Sequence, residues 1–539
     1  MDNPSALSAS AGPLDPEHPA SSYALEPDVA TPLIARIVTS QTSGTHTSEL
    51  PFTGAPLVTF PTSSDDDVEL AFSRARAAQP SWAATALRER TAVLRRFADL
   101  VLERQTEVLD IVQMETGKSR TSAFDEVAYC SVAARHFSVR AGRYLADRRE
   151  PGMFPVLTSV TVDRRPVGVV GVVSPWNYPL TLSVSELLPA LVAGNAAVLR
   201  PDPQTTLTAL WAVELLAEAG LPDGVVQVVA GGGEIGAAVV DRADHIAFTG
   251  STPTGRVVGR RAGERLIGAT LELGGKNPLY VADDVDPVLA ASGVARACFA
   301  NTGQLCVSIE RLYVHGDVLD EFLEVFVPLV RDLRLGTGLD YGYDIGSLTS
   351  QAQLDRVQGH VEDAVARGAR VLAGGVHRTD VGPYSYAPTV LSDVPDDAVC
   401  TTEETFGPVV AITVVGSDDE AVERMNATQF GLNASVWTGD TRRGRRIAAR
   451  IDAGTVGVND GFTSAWGSVG APQGGHKSSG LGRRHGREAI EAMTESRSIV
   501  VQRGVMRGLS LDTLYDTGAA RATGLLTGAL RLMNRLRLP

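Results

Sequence analysis

Residues 196–231 decide the fold class, and they read AAVLRPDPQTTLTALWAVELLAEAGLPDGVVQVVAG. An apolar run at 196–200 precedes a helix-like stretch at 206–220, and a second apolar run follows at 225–231. This order of strand, helix and strand predicts a βαβ unit in a parallel sheet that is wound with helices. Ligands of such sheets bind at the carboxyl ends of the strands, so functional residues are expected there.

The chain on both sides of this unit extends the pattern. Upstream, VLTSVTVDRRPVGVVGVVSPW (156–176) predicts a hairpin arm that leads into a fully buried strand. In residues 65–118, apolar side chains recur at three- and four-residue spacing, which predicts consecutive amphipathic helices in an outer layer. A second series of strand-like runs begins near Lys276 and predicts a second α/β domain.

Composition excludes several classes of function. The chain has 539 residues and a net charge of −14, which opposes attraction to the phosphates of nucleic acids. Its four cysteines form no CxxC pair, so we expect neither a disulfide framework nor a metal site, and the compartment predicted is the reducing cytoplasm. No uninterrupted apolar run approaches the ~20 residues of a membrane span.

The two ends of the chain differ in character. Residues 1–30 are acidic and rich in Pro, Ser and Ala, and they lack the basic start and apolar core of a secretion signal, so they predict a loose leader. Residues 506–539 predict a basic amphipathic helix. Such a helix can lie on an anionic membrane, but the pattern favours docking on its own subunit or on a neighbour.

Three stretches point to one chemistry when they are considered together. They are SPWNYPL with Asn177, LELGGKNP with Glu272 and NTGQLCVS with Cys306. On these motifs the chain resembles the aldehyde dehydrogenase superfamily from about Asp65 to about Gly504. The resemblance implies a doubly wound dinucleotide-binding domain, a second α/β domain that carries catalysis, and a small β arm that pairs subunits into a homodimer or homotetramer.

The resemblance also implies boundaries for these parts. We expect a leader at 1–30, a dinucleotide-binding domain at 31–151 and 168–275, a catalytic domain at 276–493, an oligomerisation arm at 152–167 and 494–505, and an amphipathic tail at 506–539.

By resemblance, Cys306 is the nucleophile that attacks the carbonyl carbon of a small aldehyde. A thiolate does this well near neutral pH. The Asn177 side-chain amide and the Cys306 backbone N–H would bind the oxyanion that the attack creates. Glu272 would be the general base for the water that hydrolyses the thioester, and its presence favours hydrolysis over acyl transfer to coenzyme A.

The resemblance implies a nicotinamide dinucleotide as cofactor. Its pyrophosphate is expected at FTGSTPTGR (248–256), where free N–H groups at a helix start favour an anion. Glu404 resembles the carboxylate that bonds the nicotinamide ribose, and Phe406 the aromatic side chain beside that ribose. The expected cofactor-binding residues are Trp176, Arg200, Gly231, Gly250, Ser251, Gly255, Glu404 and Phe406.

The stretch VLRPDPQT (198–205) bears on the choice between NAD and NADP. Where NAD-preferring members often carry a carboxylate, this chain has Pro203, and Arg200 is able to bind a phosphate in bidentate fashion. Both features favour NADP, with NAD as the alternative. The direction of the Asp202 side chain is open at this point, and a carboxylate beside the ribose would act against a phosphate.

The segments QLCVSIERLYV and GGHKSSGLGRRHG look most like bacterial NADP-linked succinate-semialdehyde dehydrogenases, which predicts succinate semialdehyde as the substrate. Better-known members with that activity carry arginines where this chain has Ala300 and Ser185. Tyr178, Phe462 and Trp466 could instead line an apolar pocket. The alternative is therefore an oxidoreductase of broad specificity for aliphatic or aromatic aldehydes.

Overall fold

The computed structural model describes residues 25, 27–40, 44–152, 158–503, 515–516 and 518–537. The predicted leader lies mostly outside these ranges. Helix α1 (Pro27–Ile34), however, begins within the last residues of that leader and buries Ala30 and Leu33. It packs on the helix at 206–218, so the chain is already part of the core before residue 31.

An outer helical layer follows α1, as the periodicity predicts. A hairpin comes first and four helices follow it: β1 (Thr45–Leu50), β2 (Ala55–Pro61), α2 (Asp65–Ala84), α3 (Leu87–Glu103), α4 (Gln105–Thr116) and α5 (Arg120–Tyr144). Helix α2 starts at a capping box in which Ser64 and Asp67 bond each other's backbone N–H groups. Helix α5 buries one whole face, including Cys130, which is a core residue.

The first sheet confirms the predicted α/β class. It has six strands in the order β19-β9-β8-β5-β6-β7, and all of them except β19 run parallel. The strands and their covering helices are β5 (Val169–Ser174), α6 (Pro179–Ala193), β6 (Ala196–Pro201), α7 (Thr206–Glu218), β7 (Val226–Val228), α8 (Gly233–Val240), β8 (His245–Thr249), α9 (Thr252–Arg265), β9 (Gly268–Glu272) and β19 (Gly480–Leu481).

The second sheet has seven strands in the order β12-β13-β14-β11-β10-β16-β17, and only the β12–β13 pair is antiparallel. Its elements are β10 (Asn277–Val281), α10 (Pro287–Phe299), β11 (Ile309–His315), α11 (Leu319–Arg331), α12 (Gln351–Ala366), β12 (Arg370–Ala373), β13 (Thr389–Ser392), α13 (Val399–Thr402), β14 (Val409–Val415), α14 (Asp418–Asn426), β16 (Asn433–Trp437), α15 (Thr441–Ala448) and β17 (Thr455–Val458).

The chain returns to the first sheet before it ends. Beyond β17 come α16 (Thr463–Gly467), β18 (His476–Lys477) and α17 (Gly486–Ala492), and β18 pairs with the two-residue strand β15 (Phe430–Gly431) that precedes β16. Strand β19 pairs with β9, and Val469, Ile490 and Met493 pack in the core of the first sheet. The segment 276–493 is predicted from the sequence to form the catalytic domain, but its last part, from 469 to 493, packs in the core of the first sheet.

The predicted arm is a three-stranded antiparallel sheet, with β4 (Thr158–Pro166) between β3 (Arg148–Pro151) and β20 (Thr494–Gln502). Its role in joining subunits stays a prediction. In the tail, helix α18 (Ala519–Leu536) exposes Leu525, Leu532 and Leu536, while 506–514 lie outside the described residues. No helix in the described ranges combines the length and apolar character that a membrane crossing requires.

Candidate active site

A cavity of about 670 Å³ lies where the carboxyl ends of the first sheet meet the segment before β11. It brings together all three predicted catalytic residues, Asn177, Glu272 and Cys306. It also brings together most of the predicted cofactor-binding residues, namely Trp176, Gly250, Ser251, Glu404 and Phe406. Arg200, Gly231 and Gly255 are not part of this cavity's lining.

Cys306 lies in a tightly held turn. Just before it, Asn301 and Thr302 both adopt left-handed backbone conformations, which a β-branched threonine rarely does. The Thr302 hydroxyl donates to Gly346 O at 3.1 Å, and Asn277 Nδ2 donates to Cys306 O at 2.7 Å. The half-buried Cys306 thiol faces the cavity, and burial raises its pKa to about 12, an effect that the Arg484 charge opposes. Backbone strain of this kind clusters at functional sites.

Asn177 lies on the turn between β5 and α6 and is 4% exposed. Its side-chain Nδ2 donates to Gln304 O at 3.1 Å, close to the nucleophile in sequence. Its backbone carbonyl accepts from Lys118 Nζ at 2.7 Å and from Asn301 Nδ2 at 3.2 Å. A primary amide has two N–H groups, so the second donor of Asn177 is available for an oxyanion.

Glu272 ends strand β9 beside Thr249, its register partner at the end of β8. The carboxyl group is 6% exposed, and its Oε1 has no hydrogen-bond partner among the described residues. Burial raises the pKa of Glu272 to about 7, although the neighbouring Arg484 charge acts against this rise. A carboxyl group that titrates near neutral pH is suited to accept a proton from water.

Sequence reasoning did not identify the buried cations around the site. Lys118 pairs with Glu126 at 2.6 Å, and both side chains are fully buried beneath Asn177. Lys276 pairs with Glu310, whose two oxygens accept the backbone N–H groups of 405 and 406 at 2.9 and 2.8 Å. Their signal in sequence is slight: a lysine follows a glycine in both METGK and LELGGK.

The residues expected at the nicotinamide ribose are fixed by these contacts. Glu404 Oε1 accepts the Gly275 N–H at 2.9 Å, and a Cβ on Gly274 would lie 2.4 Å from Glu404 Oε2. Phe406, with φ of +57°, packs edge-on against Trp176 at a centroid distance of 5.5 Å. A carboxylate and two aromatic rings on one cavity wall fit a sugar and a flat ring.

The helix start expected at the pyrophosphate is present as well. Ser251 caps helix α9 by accepting the Thr254 N–H, and Gly250 and Ser251 both line the cavity. A Cβ on Gly255 would lie 2.2 Å from Leu273, so only glycine permits this close packing of helix on strand. The N-terminal end of a helix favours an anion, which fits a pyrophosphate.

A separate apolar groove of about 570 Å³ lies between α8 and α9, and Arg200 is one of its walls. Arg200 is 9% exposed, and its Nε donates to Gly231 O at 2.9 Å. The Asp202 carboxylate turns instead to the backbone N–H of Gln204 at 3.0 Å. Among the described residues that line the groove there is no carboxylate. The groove fits an adenine ring beside a cation.

A second cavity of about 520 Å³, the aromatic mouth, is lined by Tyr178, Phe462 and Trp466, which belong to the same apolar cluster as Cys306. The three residues that the sequence suggested for an apolar pocket meet there, with Tyr178 and Trp466 at 4.9 Å between ring centroids and Phe462 close by. Ala300 and Cys306 pack against this cluster. Among the described residues that line the mouth, Arg296 is the one cation; it lies one helical turn before Ala300 and pairs with Asp125 at 3.3 Å.

Known proteins resemble this chain over most of its length. A protein of Mycobacterium tuberculosis (strain ATCC 25618 / H37Rv), provisionally named succinate-semialdehyde dehydrogenase NADP(+) 2, is 49% identical over 460 residues, which are 85% of this chain and 89% of the relative. Among solved structures, an Escherichia coli NADP dependent enzyme has a TM-score of 0.83 and 33% identity, covering 86% of this chain and 96% of that one.

A second solved structure carries a bound dinucleotide. Mycobacterium tuberculosis aldehyde dehydrogenase complexed with NAD+ has a TM-score of 0.81 and 35% identity, and the match covers 86% of this chain and 96% of that one. Residues 37–499 match the aldehyde dehydrogenase family as a whole. The chain therefore belongs to the aldehyde dehydrogenase family.

Proposed function

We propose that this aldehyde dehydrogenase works through a covalent adduct on Cys306, with Asn177 as oxyanion donor and Glu272 as base. The observation that carries the proposal is that these three side chains line one cavity. The same cavity is lined by the start of helix α9 and by Glu404 and Phe406, the residues expected at the nicotinamide ribose. A nicotinamide dinucleotide held there would accept hydride from the substrate carbon.

The chain's own residues account for the remaining steps. The Cys306 thiol gives its proton to solvent and forms a C–S bond to the aldehyde carbon, while the oxygen gains charge beside the free N–H of Asn177. After oxidation, Glu272 takes a proton from water, the hydroxide attacks the thioester carbon, and the C–S bond breaks. The thiolate that leaves takes the proton from Glu272, so the products are a carboxylic acid and the Cys306 thiol.

We propose NADP as the preferred dinucleotide. The support is the Arg200 guanidinium at the wall of the apolar groove, the turning of Asp202 toward Gln204, and the absence of a carboxylate among the described lining residues. A 2′-phosphate would gain a charge-assisted hydrogen bond from this arginine. The provisional name of the 49% identical relative also includes NADP(+).

For the substrate, the geometry best supports an uncharged aliphatic or aromatic aldehyde. The mouth is aromatic, Ala300 and Ser185 supply no charge, and the cation present, Arg296, is already paired with Asp125. Succinate semialdehyde is the second candidate, because Arg296 would attract its distal carboxylate and because the 49% identical relative has that provisional name.

One experiment tests all three parts of this proposal. Initial rates of dinucleotide reduction are measured for NAD and NADP against hexanal, benzaldehyde and succinate semialdehyde, with wild-type enzyme and with Cys306→Ala. We expect NADP with an uncharged aldehyde to give the highest kcat/KM, and Cys306→Ala to give none. The highest kcat/KM for succinate semialdehyde would replace the first substrate candidate with the second, and activity of Cys306→Ala would refute the covalent route.

A further inference from the structure

A buried arginine lies directly behind the catalytic strand ends. Arg484 is 6% exposed and is held between β19 and α17, where its backbone exchanges two hydrogen bonds of 2.8 Å with Gln473. Its NH2 donates to the Thr249 hydroxyl at 2.7 Å and lies 2.9 Å from Glu186 Oε1 of helix α6. Thr249 is the register partner of Glu272, so the guanidinium lies at the end of the strand next to the one that carries the base.

Arg484 can donate a further hydrogen bond beyond these contacts. The Nε–H of Arg484 has no acceptor among the described residues, and Glu272 Oε1 has no donor among them. Glu186 and Arg483 are the other charged groups that act on Glu272, and Glu404 acts on Cys306, while the Tyr129 hydroxyl lies near Arg484 itself. Burial raises the pKa of both Glu272 and Cys306, and Arg484 is the charge that opposes this rise most strongly at each. A charge acts strongly on its neighbours at a site that is shielded from water.

We propose that Arg484 is a positioning residue whose charge, fixed by Thr249 and shared with Glu186, stabilises the anionic forms in which Glu272 and Cys306 react. This inference rests on the proposed function, because it assumes that the thiolate of Cys306 reacts. Because Glu186 is paired with Arg484, its negative charge partly cancels the effect of the Arg484 charge on the thiol. Removal of Arg484 and removal of Glu186 should therefore change the ionisation of the Cys306 thiol in opposite directions.

Because the two substitutions should shift the ionisation of Cys306 in opposite directions, the proposal can be tested by measuring that ionisation. The rate at which iodoacetamide alkylates Cys306 follows the thiolate fraction, and the other three cysteines are buried. We measure this rate against pH in the full-length protein by mass of the Cys306 peptide, for wild type, Arg484→Met, Glu186→Gln and Arg487→Met. Arg487 belongs to the same segment but is exposed and pairs with Glu491, so it is the matched control.

We expect Arg484→Met to move the midpoint of the pH curve upward by about one unit or more. Glu186→Gln moves it downward, because Arg484 then acts on the thiol alone, and Arg487→Met leaves it in place. Absence of a shift in folded Arg484→Met, or shifts of the same sign in both variants, overturns the inference, since loss of packing alone predicts no reversal of sign.

Two additions keep the test decisive. If Arg484→Met does not fold, Arg484→Lys retains the charge and must keep the wild-type midpoint, while Glu186→Gln must still move it downward; failure of either result overturns the inference. Failure of the proposed function has a different signature, since Cys306→Ala would then still oxidise aldehydes whatever the alkylation curves show.

Discussion

Lys118 and Asn177 are joined by a hydrogen bond of 2.7 Å from the lysine Nζ to the asparagine backbone carbonyl, in a place where the lysine has no exposure. The same ammonium lies 3.9 Å from the centre of the Tyr178 ring, a wall of the aromatic mouth. One buried cation therefore orders both the expected oxyanion donor and an aromatic residue that lines the mouth.

Replacement of Lys118 therefore tests whether this buried contact holds Asn177 in its catalytic position. Lys118→Met leaves the Glu126 carboxylate buried without its partner, so we expect a loss of about 3–5 kcal/mol in the free energy of unfolding. The double variant Lys118→Met with Glu126→Gln removes both charges and should recover much of that stability. Chemical denaturation of the three proteins measures this difference.

Stability and turnover should separate in that double variant. The Asn177 carbonyl has still lost its Lys118 anchor, and a displacement of about 1 Å at a catalytic group costs about 100-fold in rate. We therefore expect kcat to stay about tenfold to 100-fold low while stability returns. Recovery of both together would mean that Lys118 only supports the fold.

The position of Glu272 at the end of β9 predicts which step of the reaction its replacement slows. In Glu272→Gln the water that attacks the thioester has no base, so the first turnover should survive as a burst of reduced dinucleotide while steady-state kcat falls by about 100-fold or more. Stopped-flow absorbance separates the two phases. Loss of the burst along with kcat would place Glu272 in the attack of the thiol instead.

The raised pKa of Glu272 also sets a pH dependence. A base acts in its ionised form, and burial brings the pKa of this carboxyl to about 7, so kcat should fall as the pH drops through about 7. Rate profiles of kcat between pH 5 and pH 9 test this, and the fall should be absent in Glu272→Gln. A wild-type kcat that stays level down to pH 5 would contradict it.

Short motifs were enough to predict much of this site, because Asn177, Glu272 and Cys306 each follow a strand or precede one, and strand ends in such folds converge. The supporting charges could not be predicted. Lys118 and Arg484 look like surface residues in sequence, and only the packing of α5, α6 and α17 buries them. The return of 469–493 to the first core depends on the pairing of β19 with β9, a two-residue strand with no periodicity to detect.

Arg200 provides the test of cofactor choice. If its guanidinium meets a 2′-phosphate, Arg200→Gln should lower kcat/KM for NADP by about tenfold to 100-fold and change that for NAD much less, as expected for one lost charge-assisted hydrogen bond. Arg261 lies on the rim of the same groove, where it pairs with Asp241, and Arg261→Gln is the control. A selective loss of NADP activity in Arg261→Gln alone would move the phosphate contact to that residue.

The aromatic mouth and its one cation predict opposite effects on the two substrate candidates. Trp466→Ala removes apolar contact from the mouth, so kcat/KM for hexanal or benzaldehyde should fall by about tenfold or more. Arg296→Gln removes the partner of Asp125 and should leave those aldehydes within about twofold, because uncharged substrates gain nothing from a cation already paired at 3.3 Å. If Arg296→Gln instead abolished turnover of succinate semialdehyde and Trp466→Ala spared it, the mouth would be a carboxylate site with aromatic walls. Initial rates of both variants with all three aldehydes decide between these readings, since each substitution acts on a different part of the same mouth.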